Sequence, residues 1–193
     1  MDFGDDPETK CQSREWHTGN SPHPKKARMS KSKIKSMLIC FFDSQGIVHK
    51  EFLPPGQTVN QTFYREVLER LRKRVARVLP GIARTWMLHH DNAPCYTAVS
   101  INEFLADKSI LVVPQPPYSS DLSRCDFFLF SRLKNHLKGH YFGTLDNIQK
   151  SVTDELKGIP AEAFQHCYGQ WKQCLRRCVA AQGNYFEGDN LDL

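Results

Sequence analysis

Between residues 35 and 113 the hydrophobic period alternates between that of a strand and that of a helix, which restricts the fold more than any other property of the chain. The stretch "IKSMLICFFDSQGIVHKEFL" holds two strand-like runs, 35–42 and 47–53, around a short gap of hairpin composition at 43–46. From Asn60 the period becomes 3.6, with Phe63, Val67, Leu71, Val75 and Val78 on one stripe, Leu68 and Leu79 beside it, and basic residues opposite. Thr58 or Asn60 is the expected cap, and Pro80-Gly81 the stop. Residues 84–89 read as a short buried strand, "TAVSINEFLADK" as a helix and "SILVVPQ" as a further strand. After the proline-rich turn "PQPPYSSDLSRC" a helix is expected to begin at Asp126, with two more over 145–156 and 161–179. Strands interleaved with helices predict an α/β sandwich. Its sheet is mixed, the first pair antiparallel and the later strands parallel to each other.

The ends of the chain read differently. Residues 17–33, with "TGNSPHPKKARMSKSK", form an extended basic loop, and "AAQGNYFEGDNLDL" is a tail. At 193 residues and 40% hydrophobic, the chain is long enough for one sizeable core. The first thirty residues contain no signal-peptide core and no window approaches a membrane span, so a soluble, intracellular protein is expected. Seven cysteines without framework spacing suit a reducing compartment. Cys174 and Cys178 lie one helical turn apart near His166 and Cys167, but no CxxC pair accompanies them, and zinc is not expected. The net charge of +5 is concentrated at 25–35 and 65–77. Each run by itself reads equally as a solvated face or as a surface for an anionic partner.

One apolar run stops abruptly: "TWMLHHDNAP" leads from Trp86, Met87 and Leu88 into Asp91 and a turn. At the carboxyl end of a parallel strand such an acid stands exposed at the sheet rim, where ligands gather in open α/β folds. Asp126, with 34 residues between it and Asp91, begins a helix and reads either as a cap on the helix dipole or as a second carboxylate of a metal site. Hard oxygen ligands of this kind suit Mg²⁺ and phosphoryl transfer. His89 and His90 at a strand end read as hydrogen-bonded structure, and Trp171 with Leu175 and Val179 as packing.

"HHDNAP", the 34-residue interval, "PPYSSDLSRCDFFLFSRLK", the upstream "GIVHKEFLPPGQTVN" and the terminal "GNYFEG" together resemble the catalytic region of mariner-family (Tc1/mariner superfamily) transposases. The resemblance implies a ribonuclease-H-like fold, a mixed central sheet flanked by helices, carrying three aspartates that bind Mg²⁺ or Mn²⁺. Such enzymes cut DNA at transposon ends and join the freed 3′ hydroxyl to target DNA. On that pattern Asp91 is the second aspartate and Asp126 the third, both catalytic and metal-binding, while Asp121 is structural. Residues 17–33 correspond to a clamp loop that reaches the partner subunit, with Lys25, Lys26, Arg28 and Lys31 available for DNA phosphate or partner contacts. The loop thus predicts a homodimer, and the lysines of "PKKARMSKSK" also read as a nuclear localisation signal, the alternative being the cytoplasm.

The sequence departs from the family pattern in three places. The first catalytic aspartate of the family precedes the segment that reads here "GDDPETK", so the expectation is a shortened first strand over 1–16, and Asp6 matches a family aspartate that is not catalytic. The family's "HDNAPAH" appears here as "HDNAPCY", with Cys95 and Tyr96, and its "SPDLAPCD" as "SSDLSRCD", with Ser120, Ser123 and Arg124 in place of prolines or alanine. Helix-turn-helix domains that read transposon ends are not among these residues. Residues 34–180 are therefore expected to form a transposase-derived catalytic domain that is inactive or severely impaired but retains non-specific DNA binding. The alternatives are an active Mg-dependent nuclease completed by Asp2, Asp5 or an upstream segment, and a non-enzymatic dimerisation or interaction module.

Overall fold

The structure is a computed structural model that describes residues 35–182. The hairpin forms as expected. β1 (Leu38–Phe42) pairs antiparallel with β2 (Ile47–Phe52), and Asp43 Oδ1 closes the turn by accepting the Gln45 and Gly46 amides at 2.8 and 3.0 Å. Gly46, at φ +151°, takes a backbone conformation that side chains disfavour. β1 is apolar on both faces because both are covered: Ile39 packs toward Val67 of the first helix, and Cys40 toward the later helices.

Helix α1 (Gln61–Val78) is capped by Asn60, whose side chain accepts the Phe63 amide at 2.8 Å. Its buried stripe is Tyr64, Val67, Leu68, Leu71 and Val75. This corrects the sequence reading at two positions: Tyr64 joins the core, and Val78 is 47% exposed where the helix runs past its neighbours. The chain then turns through Pro80–Ile82, with the Thr85 and Trp86 amides both donating to the Ile82 carbonyl. Those turn bonds consume the first half of the expected 84–89 strand, leaving β3 as Met87–His89. Nor is it buried throughout, since Leu88 is enclosed but Met87 is 62% exposed.

Helix α2 (Val99–Asp107) returns the chain to β4 (Leu111–Val113), which pairs with β3 in parallel. A helical turn, Ser120–Leu122, precedes a wide π-helical segment, Cys125–Phe130, which runs into α3 (Ser131–Leu137). The expected helix at Asp126 is thus present but starts one residue early and is locally underwound and widened, a distortion often found at functional sites. α4 (Leu145–Gly158) and α5 (Ala161–Ala180) follow. Trp171 packs as expected, whereas Val179 on the same helix is 79% exposed.

The core lies on both sides of the hairpin, one part formed by α1, α2 and β3, the other by α3, α4 and α5. Among the described residues the strands form two separate two-stranded sheets, with no hydrogen-bonded link between β1 and β3. No described helix is long and apolar enough to cross a membrane.

Candidate active site

A cavity of about 360 Å³ lies between the two half-sheets, walled by β1 on one side and β3 on the other, with Tyr64 and Leu71 of α1 and Tyr168 of α5 closing it. Asp91 and Asp126 both stand on its lining, and both residues are solvent-exposed. The spacing in the sequence therefore brings the two acids to one place, from the end of a strand and from the first turn of a helical segment.

Each acid is positioned by local geometry. Asp91 Oδ1 accepts the Ala93 amide at 2.9 Å, and the Ala93 carbonyl accepts the Tyr96 and Thr97 amides, so "DNAP" is a hydrogen-bonded turn that fixes the carboxylate. Asp126 is carried by a backbone held at both the Asp126 and Phe127 amides by the Ser123 carbonyl. Its carboxylate has no hydrogen-bond or ion-pair partner among the described residues. Asp43 shares the lining but spends Oδ1 on the hairpin turn.

Gln115 joins the two acid-bearing loops, a role no local pattern announces. Its side-chain oxygen accepts from His89 Nε2 at 2.8 Å, its amide nitrogen donates to the Ser119 carbonyl at 2.6 Å, and its own carbonyl accepts from Asn92 at 2.7 Å. His89 and His90 are structural, as expected: burial lowers the pKa of both, and His90 Nδ1 shares a hydrogen bond of 3.1 Å with the Tyr64 phenol. Tyr96 stacks its ring 4.1 Å from Tyr64, so the departure "HDNAPCY" is accommodated by an aromatic cluster.

Arg124 stands beside Asp126 in sequence, but its guanidinium stacks on Trp171 and Tyr168 at 4.0 and 4.4 Å from the ring centroids. Burial and the Asp126 carboxylate push the Cys125 thiol up to about 12, so at neutral pH the free group is a protonated thiol. The donor set facing the cavity is accordingly two hard carboxylates. Such a pair fits a hydrated Mg²⁺ or Mn²⁺, which commonly keeps several waters and takes one or two protein carboxylates. Among the described residues no group of three or more His, Cys, Asp or Glu side chains forms a fuller cage. Asp2, Asp5, Asp6 and the loop residues Lys25, Lys26, Arg28 and Lys31 lie outside the described residues.

Comparison with known proteins finds similarity to one family of transposases. A family model described as transposase (partial DDE domain) matches residues 6–85. The mariner Mos1 transposase of Drosophila mauritiana is 27% identical over 169 residues, 86% of this chain and 49% of that protein. The Mos1 catalytic domain solved with raltegravir and Mg superposes with a TM-score of 0.73 at 28% identity, over 78% of this chain and 77% of the other. The chain is similar to the mariner-family transposases over most of its length. It corresponds to their catalytic domain, with its ribonuclease-H-like fold. The Mos1 paired-end complex with the left transposon end aligns over 96% of this chain and 54% of the Mos1 chain, with a TM-score of 0.81 and 26% identity. The chain thus spans about half the length of the transposase it matches.

Proposed function

We propose that this transposase domain binds DNA and has lost most of the family's strand cleavage and strand transfer. The observation that carries the proposal is the donor set: Asp91 and Asp126 share one cavity, with no third metal-ligating side chain grouped with them among the described residues. A divalent ion at such a site supplies charge stabilisation to a phosphoryl group and lowers the pKa of a water. Here Asp91 and Asp126 would hold it, with Gln115 and the Ala93 turn fixing the approach of the two loops. A single carboxylate pair gives no bridging ligand to set two ions about 4 Å apart, so the metal is held weakly and positioning suffers.

DNA binding is supported by the net charge of +5 and by the likeness to a transposase solved with a transposon end. On this reading the protein is nuclear. Dimerisation through the loop at 17–33, outside the described residues, belongs to the same reading.

The test is nicking of supercoiled plasmid in Mn²⁺ by folded protein, beside Asp91→Ala and Asp126→Ala. Activity indistinguishable between the protein and both variants is expected. Robust nicking that vanishes in both variants would overturn the loss of catalysis and establish a working metal nuclease.

A further inference from the structure

The basic run at 65–77 was left open between a solvated face and a binding surface. The structure gives it a shape. Arg70, Lys73, Arg74 and Arg77 of α1 line one side of a concave groove of about 870 Å³, whose other walls carry Lys50 of β2 and Lys157 of α4. Three separate elements thus direct positive charge into one hollow. It is a different surface from the candidate active site, sharing with that cavity only Val48.

Part of this charge is already neutralised. Arg70 makes a two-pronged bond to Glu51 at 2.7 and 2.8 Å and a longer contact with Glu66, and Lys73 lies 3.7 Å from Glu69. Lys50, Arg74, Arg77 and Lys157 form no ion pair with a carboxylate among the described residues. Instead Lys50 donates to the Thr153 hydroxyl and Arg74 to the Val48 carbonyl at 3.3 Å, contacts that orient the cations without cancelling them. Burial lowers the pKa of Lys50, and the neighbouring Lys157 charge adds to this, while Cys40 and Asp154 act in the opposite direction. Like charges brought together in a hollow cost stability and are relieved by an anion that sits among them.

We propose that this groove is a second nucleic-acid contact surface that takes the phosphate backbone of duplex DNA. The basic stripe from Arg70 to Arg77 covers about 10 Å of helix axis. That is the axial rise of about three phosphates along one strand of a duplex. The apolar floor, with Ile47, Leu156 and Ile159, offers no hydrogen-bonding groups for base edges, so the contact is independent of sequence. The inference rests on the DNA-binding reading above and assigns it a location.

The experiment measures the affinity of the full 193-residue chain for a fluorescent 30-bp duplex across a series of salt concentrations. One variant carries Arg74→Gln, Arg77→Gln and Lys157→Gln. A control removes the same charge elsewhere through Arg84→Gln, Lys138→Gln and Lys172→Gln, three exposed positions outside the groove. Circular dichroism and the thermal midpoint verify that all three proteins are folded. The groove variant is expected to reduce the slope of log K against log salt by about 2 to 3, and the control by less than 1. Equal slopes in the groove variant and the control overturn the groove while leaving DNA binding intact. A wild-type chain without salt-dependent binding overturns both, and poly-glutamate that competes as well as duplex of equal charge overturns the assignment to DNA.

Discussion

The Arg124 guanidinium lies 4.0 Å from the centre of the Trp171 indole, and Trp171 Nε1 donates to the Leu122 carbonyl at 3.0 Å. Together these contacts fasten α5 to the turn that delivers Asp126. Trp171→Ala is expected to cost about 2 kcal/mol, less than the ~3–5 typical of a fully buried tryptophan because this one is only half-buried. Arg124→Ala should cost about 1 kcal/mol. A double-mutant cycle by urea unfolding measures their coupling, expected at about 1 kcal/mol; strictly additive losses would show that the stacking contributes nothing.

Gln115 makes three hydrogen bonds that join the Asp91 turn to the Ser119 loop, two of them through its side chain. Gln115→Ala leaves the half-buried His89 ring and the Ser119 carbonyl unpaired, a loss of about 1–2 kcal/mol. Amide exchange should quicken at Ser119 to Ser123 and at Ala93 in this variant. Protection at both loops equal to that of the parent would contradict the joining role.

Tyr64 is nearly inaccessible and offers its phenol to His90. Tyr64→Phe retains the ring stacked on Tyr96 but removes the hydrogen bond, for an expected loss of about 1 kcal/mol, whereas Tyr64→Ala also opens a cavity and should cost about 3–5 kcal/mol. Chemical denaturation of the two variants separates the terms. Equal losses would mean that the hydroxyl rather than the packing dominates.

Acid should weaken the tie between β2 and α1. Burial pushes the Glu51 carboxyl up, but the hydrogen bonds from Arg70 and His49 outweigh it and hold the group below its ordinary 4.5. A carboxylate depressed in the folded state stabilises the fold above the unfolded pKa, and that contribution disappears as pH falls from about 4.5 through the folded value. The urea midpoint of the parent is therefore expected to decline below pH 4.5 more steeply than that of Glu51→Gln. Parallel curves for the two proteins would refute the assignment.

Much of the fold was legible in the sequence because its signals are local. The 3.6 period and Asn60 determine α1, the Asp43–Gly46 turn determines the hairpin, and "HHDNAP" with "SSDLSRCD" marks the two acids. These patterns depend on neighbours within a turn or a strand repeat. The boundaries of β3 were not legible, since the Thr85 and Trp86 amides donate to the Ile82 carbonyl in a turn rather than to a strand partner. Tyr64 lies outside the stripe read from the sequence, and the His90 and Tyr96 rings of a distant turn help enclose it in the core.

What the sequence by itself determined is the order of elements, the antiparallel and parallel strand pairs and the identity of Asp91 and Asp126, each written in adjacent or periodic residues. Only the tertiary structure decided that the two acids share one cavity, that Gln115 and Arg124 hold the loops bearing them, and that the basic run of α1 meets Lys50 and Lys157 in a groove. Among those relationships, His89 with Gln115 spans 26 positions and Lys50 with Lys157 spans 107. Their strength is set by distance and burial, which no local spacing encodes.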